Sequence, residues 1–356
     1  MRCRLMVWVL LLAFAVPGAA SELSEKAASL AVGDWVELNT NFPSLIQGQD
    51  FVWSDSASWD SQNEQVNWIC SPVGQDDYYH YRYDVVTNTW SRVTTPHGVR
   101  SGHGYDVNTA DHDGHIFYTR HSEGSVHRGT WNGNGYSWET LPEPNITVVA
   151  ANSLTWMDHL DGGRGGLAFV SGDGRATWYK FSPPAGWQTP FDRSVWGSPH
   201  PFSEYSPKDR VLWAGSGNNY PRASKLLTEN GDWLTMVDAP SGCNLRVSDA
   251  LHGYDPVSGR FLLLCDTGRW YEFDHRNGGR YTDITNDMGN RPDIVIGRGT
   301  AITSIPEYGV VMVVQGQGSS ASNNPRPGVW IYKHAPSTPP PPPSDPPNAP
   351  GNPRVQ

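Results

Sequence analysis

The sequence predicts an all-β protein, a six-bladed β-propeller of four-stranded blades that is closed by an N-terminal strand completing the last blade. Three observations lead to this fold class. An aromatic residue followed by a turn recurs about every 48 residues, a second aromatic series marks another strand in each unit, and one extra copy of that second series precedes the first unit. Four short strands in a repeat of this length are typical of a propeller blade.

The first aromatic series marks the inner strand of each blade. Its members follow one another at intervals of 46 to 51 residues. They are Trp59, Tyr105, Trp156, Tyr205, Tyr254 and, as a weaker sixth copy, Ile305. Each is followed by a short apolar run, such as residues 166–170 and 260–264. Apolar runs of this length between turn residues predict buried second strands.

The second aromatic series marks the outer strand. Its members are Trp90, Trp138, Trp187, Trp233 and Tyr281. A third strand lies between the two series, as in residues 81–84, 178–181, 269–273 and 329–332. A two-sheet sandwich of similar length would show no such period, so the repeat favours a propeller over that alternative.

The closure of the ring is predicted from a mismatch between the two ends of the repeat. The sixth unit ends after Tyr332 without an outer strand, whereas residues 33–38 repeat the pattern of residues 231–234 ahead of the first unit. We therefore expect the strand around Trp35 to pair with the strand around Trp330. Such pairing leaves no sheet edge open to other chains.

Composition limits the classes of partner. The 356 residues include 37 glycines, 29 prolines and 16 tryptophans, which suits short strands separated by tight turns, and the formal net charge is −10. An acidic chain is not built to neutralise nucleic-acid phosphates or to lie on an anionic membrane. The composition therefore excludes nucleic acid as the expected partner and favours a neutral or cationic one.

The two ends of the chain predict a secreted protein with a tail. Residues 1–20 have the basic start, the apolar run and the small residues of a secretory signal peptide. Residues 21–32 form a lead-in, residues 33–335 the propeller, and residues 336–356 a proline-rich linker or tail. The apolar run is shorter than the about 18 residues that suggest a membrane span, so we expect an extracellular or periplasmic chain without a transmembrane anchor.

Three cysteines remain once Cys3 leaves with the signal peptide. Cys70, Cys243 and Cys265 match no metal-binding spacing, so no metal site is predicted from them. An odd number cannot pair completely within one chain. At most one disulfide is expected, between Cys243 and Cys265, because the loop before the fifth blade and the end of its second strand share a face.

The blades resemble kelch-type repeats of the galactose oxidase kind. The resemblance rests on the outer-strand tryptophans and on small residues after the second strand, as at 172–174, 215–217 and 316–318. It covers nearly the whole chain after the signal peptide and implies a propeller. It implies little about function, because kelch propellers include oxidases, lyases and binding modules. The sequence boxes of sialidases and of WD40 repeats are absent.

The candidate ligand-binding residues lie on loops of one predicted face, where outer strands lead into the next blade and second strands lead into third strands. They are His97, Arg100, His103, Tyr220, Arg246, His252 and Arg298. His103 and His252 each precede a tyrosine by two residues and are interpreted as equivalent, with satisfied structural histidines as the alternative. These basic groups predict binding of a polysaccharide or a cell-surface glycoprotein, including acidic sugars.

Two enzyme classes are alternatives to this binding module. A polysaccharide lyase would use the arginines to neutralise a uronate and Tyr220, His103 or His252 to move a proton. The resemblance to galactose oxidase would imply a copper-radical site, with Tyr79, His80 and Cys243 echoing its ligands. That family's additional C-terminal domain and seventh blade are missing here. Whether the protein is an enzyme, and with which cofactor, stays open at this point.

Overall fold

The computed structural model describes residues 20–47, 51–52, 54–72, 79–95, 107–119, 124–148, 151–188, 191, 199–296, 299–316 and 326–336. The predicted signal peptide and nearly all of the proline-rich tail lie outside these residues. Within them, no helix is long and apolar enough to cross a bilayer.

Six antiparallel sheets form the six blades of a propeller, as predicted. The first strand in the chain, β1 (Trp35–Glu37), belongs to blade 6. Blade 1 comprises β2 (Phe51–Val52), β3 (Ser58–Asp60), β4 (Gln65–Pro72), β5 (Tyr79–Asp84) and β6 (Thr89–Val93). Both β2 and β3 pair with β4, so the inner strand of blade 1 is in two pieces. Blade 2 comprises β7 (Asn108–Ala110), β8 (His115–Thr119), β9 (Val126–Trp131) and β10 (Tyr136–Thr140).

The other four blades follow the same plan. Blade 3 comprises β11 (Ser153–Met157), β12 (Gly166–Val170), β13 (Ala176–Lys180) and β14 (Gly186–Trp187). Blade 4 comprises β15 (Phe202–Ser206), β16 (Val211–Gly215), β17 (Ser224–Leu227) and β18 (Trp233–Thr235). Blade 5 comprises β19 (Ala250–Tyr254), β20 (Phe261–Cys265), β21 (Trp270–Asp274) and β22 (Arg280–Asp283), and blade 6 comprises β23 (Thr300–Ile305), β24 (Val310–Gln315), β25 (Gly328–Tyr332) and β1.

Short helices lie between or before the strands. They are α1 (Glu22–Ser29), α2 (Phe42–Leu45), α3 (Leu160–Gly163) and two 3₁₀ turns at Arg276–Gly278 and Pro306–Tyr308. Helix α1 occupies the predicted lead-in and begins where Ser21 Oγ accepts a hydrogen bond from the Ser24 N–H. Its Leu23 and Ala27 are buried against blades 6 and 1, so the lead-in is packed onto the propeller.

The ring closes through the N-terminal strand, which confirms the predicted pairing. Trp35 lies opposite Tyr332 and Glu37 opposite Trp330 in the antiparallel register of β1 and β25. The Leu38 N–H donates to the Val329 carbonyl at 2.8 Å and continues this pairing. The last blade is therefore built from both ends of the chain.

The inner strand of blade 2 differs from its predicted position. The aromatic motif predicted that the inner strand of blade 2 ends near Tyr105. In the structure this strand, β7, begins at Asn108, after Tyr105 in the chain. The hairpin after β7 is set by Asp111, whose carboxylate accepts from the N–H groups of Asp113 and His115 at 2.9 Å each. His103 lies outside the described residues, so its predicted equivalence to His252 stays a prediction.

The apolar core is divided among the spaces between blades. Among the described residues, six clusters of buried apolar side chains each join two neighbouring blades. The cluster between blades 6 and 1 also takes in Leu23 and Phe42 from the two N-terminal helices. Burial of this kind on both faces of every sheet explains why the second strands are continuous apolar runs.

Polar side chains tie the inner strands to one another around the channel. Thr109 Oγ1 accepts from the Trp156 N–H at 3.1 Å, and Thr155 Oγ1 donates to the Ser203 carbonyl at 3.1 Å. Ser304 Oγ accepts from the Tyr254 N–H at 3.3 Å. These bonds cross between blades 2 and 3, blades 3 and 4, and blades 5 and 6.

A buried charge network joins blades 5 and 6. Glu272 on β21 accepts from Arg260 at 2.7 Å with one oxygen and contacts His334 Nε2 at 2.7 Å with the other. The Glu272 and His334 side chains are fully buried, and Arg260 also pairs with Asp274 at 3.3 Å. The network connects the fifth blade to the segment that follows the last strand.

A second polar network lies between blades 1 and 2. Asn67 Oδ1 contacts His80 Nε2 at 2.9 Å and accepts from the Tyr136 hydroxyl at 2.8 Å. The Tyr136 hydroxyl also lies 3.1 Å from Gln65 Oε1. Burial lowers the pKa of His80 to about 3, so its ring is neutral at physiological pH.

Candidate functional site

A cavity of about 180 Å³ opens at the mouth of the channel where the inner strands of the six blades end. We call it the mouth cavity. Its lining includes, blade by blade, Trp59 and Ser61; Asn108, Asp111 and His112; Trp156 and Asp158; Glu204 and Tyr205; Tyr254; and Ser304 and Glu307. Drug-sized ligands occupy pockets of roughly 300–1,000 Å³. The mouth cavity therefore suits one small ring or polar group.

Hairpin turns after the inner strands shape the rim of the cavity. Asp111 bonds its own turn, and Asp255 does the same in blade 5 by accepting from the N–H of Ser258 at 2.8 Å. Asp111 also contacts His115 Nδ1 at 2.8 Å. Its oxygens are thus engaged within the turn, and we assign this carboxylate a structural role.

Three other carboxylates at the mouth come from three different blades. Asp158 contacts His112 Nε2 at 2.7 Å, and Glu307 accepts from the indole N–H of Trp59 at 2.6 Å. Glu204 lies on β15 beside Tyr205. Burial first, and then the negative charges of Glu204, Asp158 and Glu307, raise the pKa of the Tyr254 hydroxyl far above its usual range. The electrostatic effects of the three carboxylates therefore overlap at the Tyr254 hydroxyl.

Aromatic side chains sit between the blades and line the mouth. Trp59 and Trp156 are half-buried, and the Trp156 ring stacks on Phe117 of blade 2 with centroids 5.7 Å apart. The Tyr205 hydroxyl contacts His159 Nδ1 at 2.9 Å, and burial raises the pKa of Tyr205. These rings give the cavity an apolar border next to its carboxylates.

A buried acceptor lies in the wall of the cavity without a partner in the described part of the chain. Asn108 is 3% exposed, and its amide Nδ2 donates to the Ser56 carbonyl at 3.0 Å. Its Oδ1 accepts no hydrogen bond from any described group. Buried polar atoms normally have partners, so this oxygen in a lining residue is a candidate acceptor for a ligand donor.

The charge of the cavity is negative. Its described lining contains no lysine and no arginine, and His112 is its one basic side chain. The hydrogen bond to Asp158 raises the pKa of His112, so this histidine pairs with a carboxylate that is already present. Among the described residues, no group of three or more histidine, cysteine, aspartate or glutamate side chains could hold a metal ion.

Four of the seven predicted ligand-binding residues lie outside the described residues, namely His97, Arg100, His103 and Arg298. The other three do not line the mouth cavity. Tyr220 is 51% exposed, and Arg246 pairs with Asp249 and donates to Asn218 Oδ1 at 3.2 Å. His252 is 8% exposed and stacks on Phe202 with centroids 3.9 Å apart. The structure brings Tyr220 and Arg246 to the predicted loop face, while His252 packs between blades 4 and 5.

The disulfide prediction is confirmed, and it bears on the copper-radical alternative. Cys243 and Cys265 form a disulfide with their Cα atoms 5.3 Å apart, and Cys70 is a buried free thiol. A sulfur in a disulfide is not available for a crosslink to tyrosine. His80, which the oxidase alternative would use as a copper ligand, belongs to the polar network between blades 1 and 2. The described residues therefore do not assemble the oxidase ligands.

The mouth cavity also lacks what the lyase alternative requires. Proton abstraction next to a uronate carboxylate needs a cation to neutralise that carboxylate. Tyr205 and His159 could move a proton, but His112, the one basic side chain of the described lining, already pairs with Asp158. The lyase alternative therefore rests on the arginines of the loop face.

The sequence interpretation missed the carboxylates at the mouth, although a signal was present. Asp158, Glu204 and Glu307 each lie within two residues of a member of the first aromatic series. The series was interpreted only as a strand and turn marker. Because the inner strands of a propeller converge on its axis, charged residues at their shared ends must also converge.

The burial of His252 leads to a prediction for the pH dependence of stability. Burial lowers its pKa from 6.5 to about 3, so the unfolded chain binds a proton below pH 6.5 that the folded chain does not. This proton uptake by the unfolded chain has no effect on the free energy of unfolding above pH 6.5 and lowers it progressively as the pH falls towards 3. Between about pH 6 and pH 4, urea unfolding should show the wild type losing about 1.4 kcal/mol per pH unit more than His252→Leu.

The His112→Gln variant is the matched control, because the pKa of His112 is raised in the folded protein. Replacing His112 should make the free energy of unfolding fall more steeply with decreasing pH than in the wild type, whereas His252→Leu should make it fall less steeply. Parallel pH profiles for the wild type and His252→Leu would contradict the buried, neutral state of His252.

The chain matches no protein-family model, and the comparison with characterised proteins gives no match. It is similar to a solved structure of a structural genomics protein of unknown function from Bacteroides thetaiotaomicron, at 12% identity and a TM-score of 0.52 over 84% of this chain and 75% of that one. It is also similar to a triple arginine-to-alanine mutant of AofleA from Arthrobotrys oligospora, at 12% identity and a TM-score of 0.51 over 74% and 79% of the two chains. At this identity the likeness extends to the propeller fold alone.

Proposed function

We propose that this protein is a secreted binding propeller of kelch type that takes a terminal sugar of a polysaccharide or a cell-surface glycoprotein into the mouth cavity. The observation that carries this proposal is the convergence of Asp158, Glu204 and Glu307 on a small cavity with aromatic edges. Carboxylates accept hydrogen bonds from sugar hydroxyls, and these charge-assisted bonds are stronger than neutral ones. The neighbouring aromatic rings supply apolar surface that suits the C–H face of a sugar.

The size and position of the cavity favour a chain end as the ligand. A volume of about 180 Å³ accommodates little more than one ring, and the rim residues His112 and Glu307 are exposed. A polymer could place its last residue inside and leave the rest outside. The basic start of the sequence, its apolar run and the Cys243–Cys265 disulfide support secretion, since disulfides persist in oxidising compartments.

The loop face with Tyr220 and Arg246 stays a second proposed surface for the same class of ligand. Its basic residues suit acidic sugars, whereas the carboxylates of the mouth cavity would repel them. The two faces therefore predict different glycan preferences. Neutral glycans should select the mouth cavity, and acidic glycans the loop face.

A glycan array followed by calorimetric titration tests the proposal. We expect a neutral or amino sugar at a chain end to bind, and Glu204→Gln and Asp158→Asn each to weaken that binding by about tenfold or more, because each removes a charged acceptor. Glu229→Gln, which changes an exposed carboxylate outside the cavity, is the matched control and should bind as the wild type does.

The double change Tyr220→Ala with Arg246→Ala distinguishes the two faces. If it abolishes binding while Glu204→Gln and Asp158→Asn leave binding intact, the site lies on the loop face. An array without any bound glycan, from protein that unfolds cooperatively, would reject the carbohydrate proposal.

A further inference from the structure

We infer that the sugar bound in the mouth cavity carries a protonated amine, so that the ligand is an amino sugar with a free ammonium group. This inference rests on the proposed function and narrows its ligand class. It follows from the charge of the cavity, from the kind of hydrogen-bonding groups in its wall and from the absence of competing cations in its described lining.

The negative charges of the cavity are close enough to influence the same groups. Glu204, Asp158 and Glu307 all act on the hydroxyl of Tyr254. Asp158 and Glu307 also act on His112, which stands on the opposite side of the cavity in blade 2. Because like charges that converge in a partly buried space repel one another, a cation placed among them lowers the energy of the site.

The described lining supplies little of that positive charge itself. The described lining contains neither lysine nor arginine, and the imidazole of His112 already contacts Asp158 at 2.7 Å. His112 is also on the exposed rim, with 66% of its side chain accessible. In the described lining, carboxylates therefore outnumber basic side chains, and a cationic ligand would reduce this excess of negative charge.

The wall adds an independent indication of the kind of group that binds. Asn108 lines the cavity, and its buried acceptor Oδ1 receives no hydrogen bond within the described part of the chain. Its amide nitrogen is held by the Ser56 carbonyl at 3.0 Å, so the side chain cannot turn to offer a donor without losing that bond. An unsatisfied buried acceptor is costly, and an entering donor removes this cost.

The ammonium group complements this wall better than other sugar substituents do. It carries three N–H donors and no acceptor, whereas the wall offers carboxylate and amide oxygens. A uronate would bring a further negative charge, and an N-acetyl group would bring a carbonyl acceptor and a single N–H. Specificity of this kind comes from the penalty on the wrong ligand as well as from attraction to the right one.

The test compares three short oligosaccharides of equal length by calorimetric titration at about pH 5.5, where the amine is charged. The probes are glucosamine, N-acetylglucosamine and glucose trimers. We expect the glucosamine trimer to bind at least about tenfold more tightly than the other two. Short probes limit the non-specific attraction between a polycation and an acidic protein, and Glu229→Gln reports what remains of it.

Two variants assign the preference to the cavity. Glu204→Gln should reduce the preference for the amine by about tenfold. Asn108→Leu should reduce the affinity for the glucosamine trimer, whereas the control variant Glu229→Gln should keep the affinity of the wild type. Thermal unfolding of each variant verifies that it is folded.

The possible results separate this inference from the proposed function. Equal affinity for all three trimers would overturn the amine preference and leave a sugar-binding cavity. An amine preference that survives Glu204→Gln but is lost in Glu229→Gln would assign it to general surface charge and overturn the inference. No binding of any trimer would overturn both proposals.

Discussion

Deletion of residues 21–40 is expected to abolish cooperative unfolding of the protein. The deletion removes β1, which closes blade 6, and helix α1, which covers the space between blades 6 and 1. Leu23, Trp35 and Leu38 are each at most 2% exposed, and burial of one such side chain contributes about 1.5–3 kcal/mol. Together with the lost strand pairing, this approaches the whole stability of a typical domain, about 5–15 kcal/mol.

Circular dichroism during urea and thermal unfolding measures the effect. A chain that lacks residues 337–356 is the control, and we expect it to unfold with the midpoint and sharpness of the full chain because the proline-rich composition there predicts a spacer without a core. A chain without residues 21–40 that unfolds as sharply as the full chain would show that the ring does not depend on its N-terminal strand.

Substitution of Glu272 by alanine is expected to lower the free energy of unfolding by about 3–5 kcal/mol. Glu272 is fully buried and bridges Arg260 and His334, so its loss removes the 2.7 Å ion pair of a buried guanidinium. The expected penalty arises mainly from the loss of this ion pair in a buried environment. Urea unfolding at neutral pH gives the difference directly.

The exposed pair of Arg210 and Glu229 provides the comparison. Both side chains are more than half exposed, so Glu229→Ala should change stability by at most about 1 kcal/mol. Glu272→Gln keeps the volume and removes the charge, which separates packing from electrostatics. If Glu272→Ala cost no more than Glu229→Ala, the network would not be a determinant of stability.

The period, the closure and the disulfide could be predicted from the sequence because each depends on a local pattern. Outer-strand aromatics such as Trp233 and the extra copy at Trp35 repeat at nearly constant spacing. In blade 2 the pattern misled, because Tyr105 resembles Tyr254 in its flanking residues while the hairpin is determined by Asp111. A turn that is set by a side chain bonding to nearby backbone N–H groups cannot be located from the spacing of aromatic residues.

The candidate site was less predictable because it is assembled from six distant segments. Asp158, Glu204 and Glu307 come together only when the ring closes, and no spacing between them has meaning along the chain. Basic residues in loops, such as Arg246, were more conspicuous in an acidic sequence. Their partners, including Asp249, became evident only in three dimensions.

The polar contact between blades 1 and 2 makes the ring uneven around its circumference. Among the described residues, the apolar cluster at this seam has four buried members, whereas the cluster between blades 6 and 1 has twenty-one. Parting blades 1 and 2 therefore exposes little apolar surface to water, and its hydrogen-bonded groups can be solvated as they separate. The described contacts therefore predict that the ring opens first at this seam, where the backbone is continuous, and not at the junction of the two chain ends.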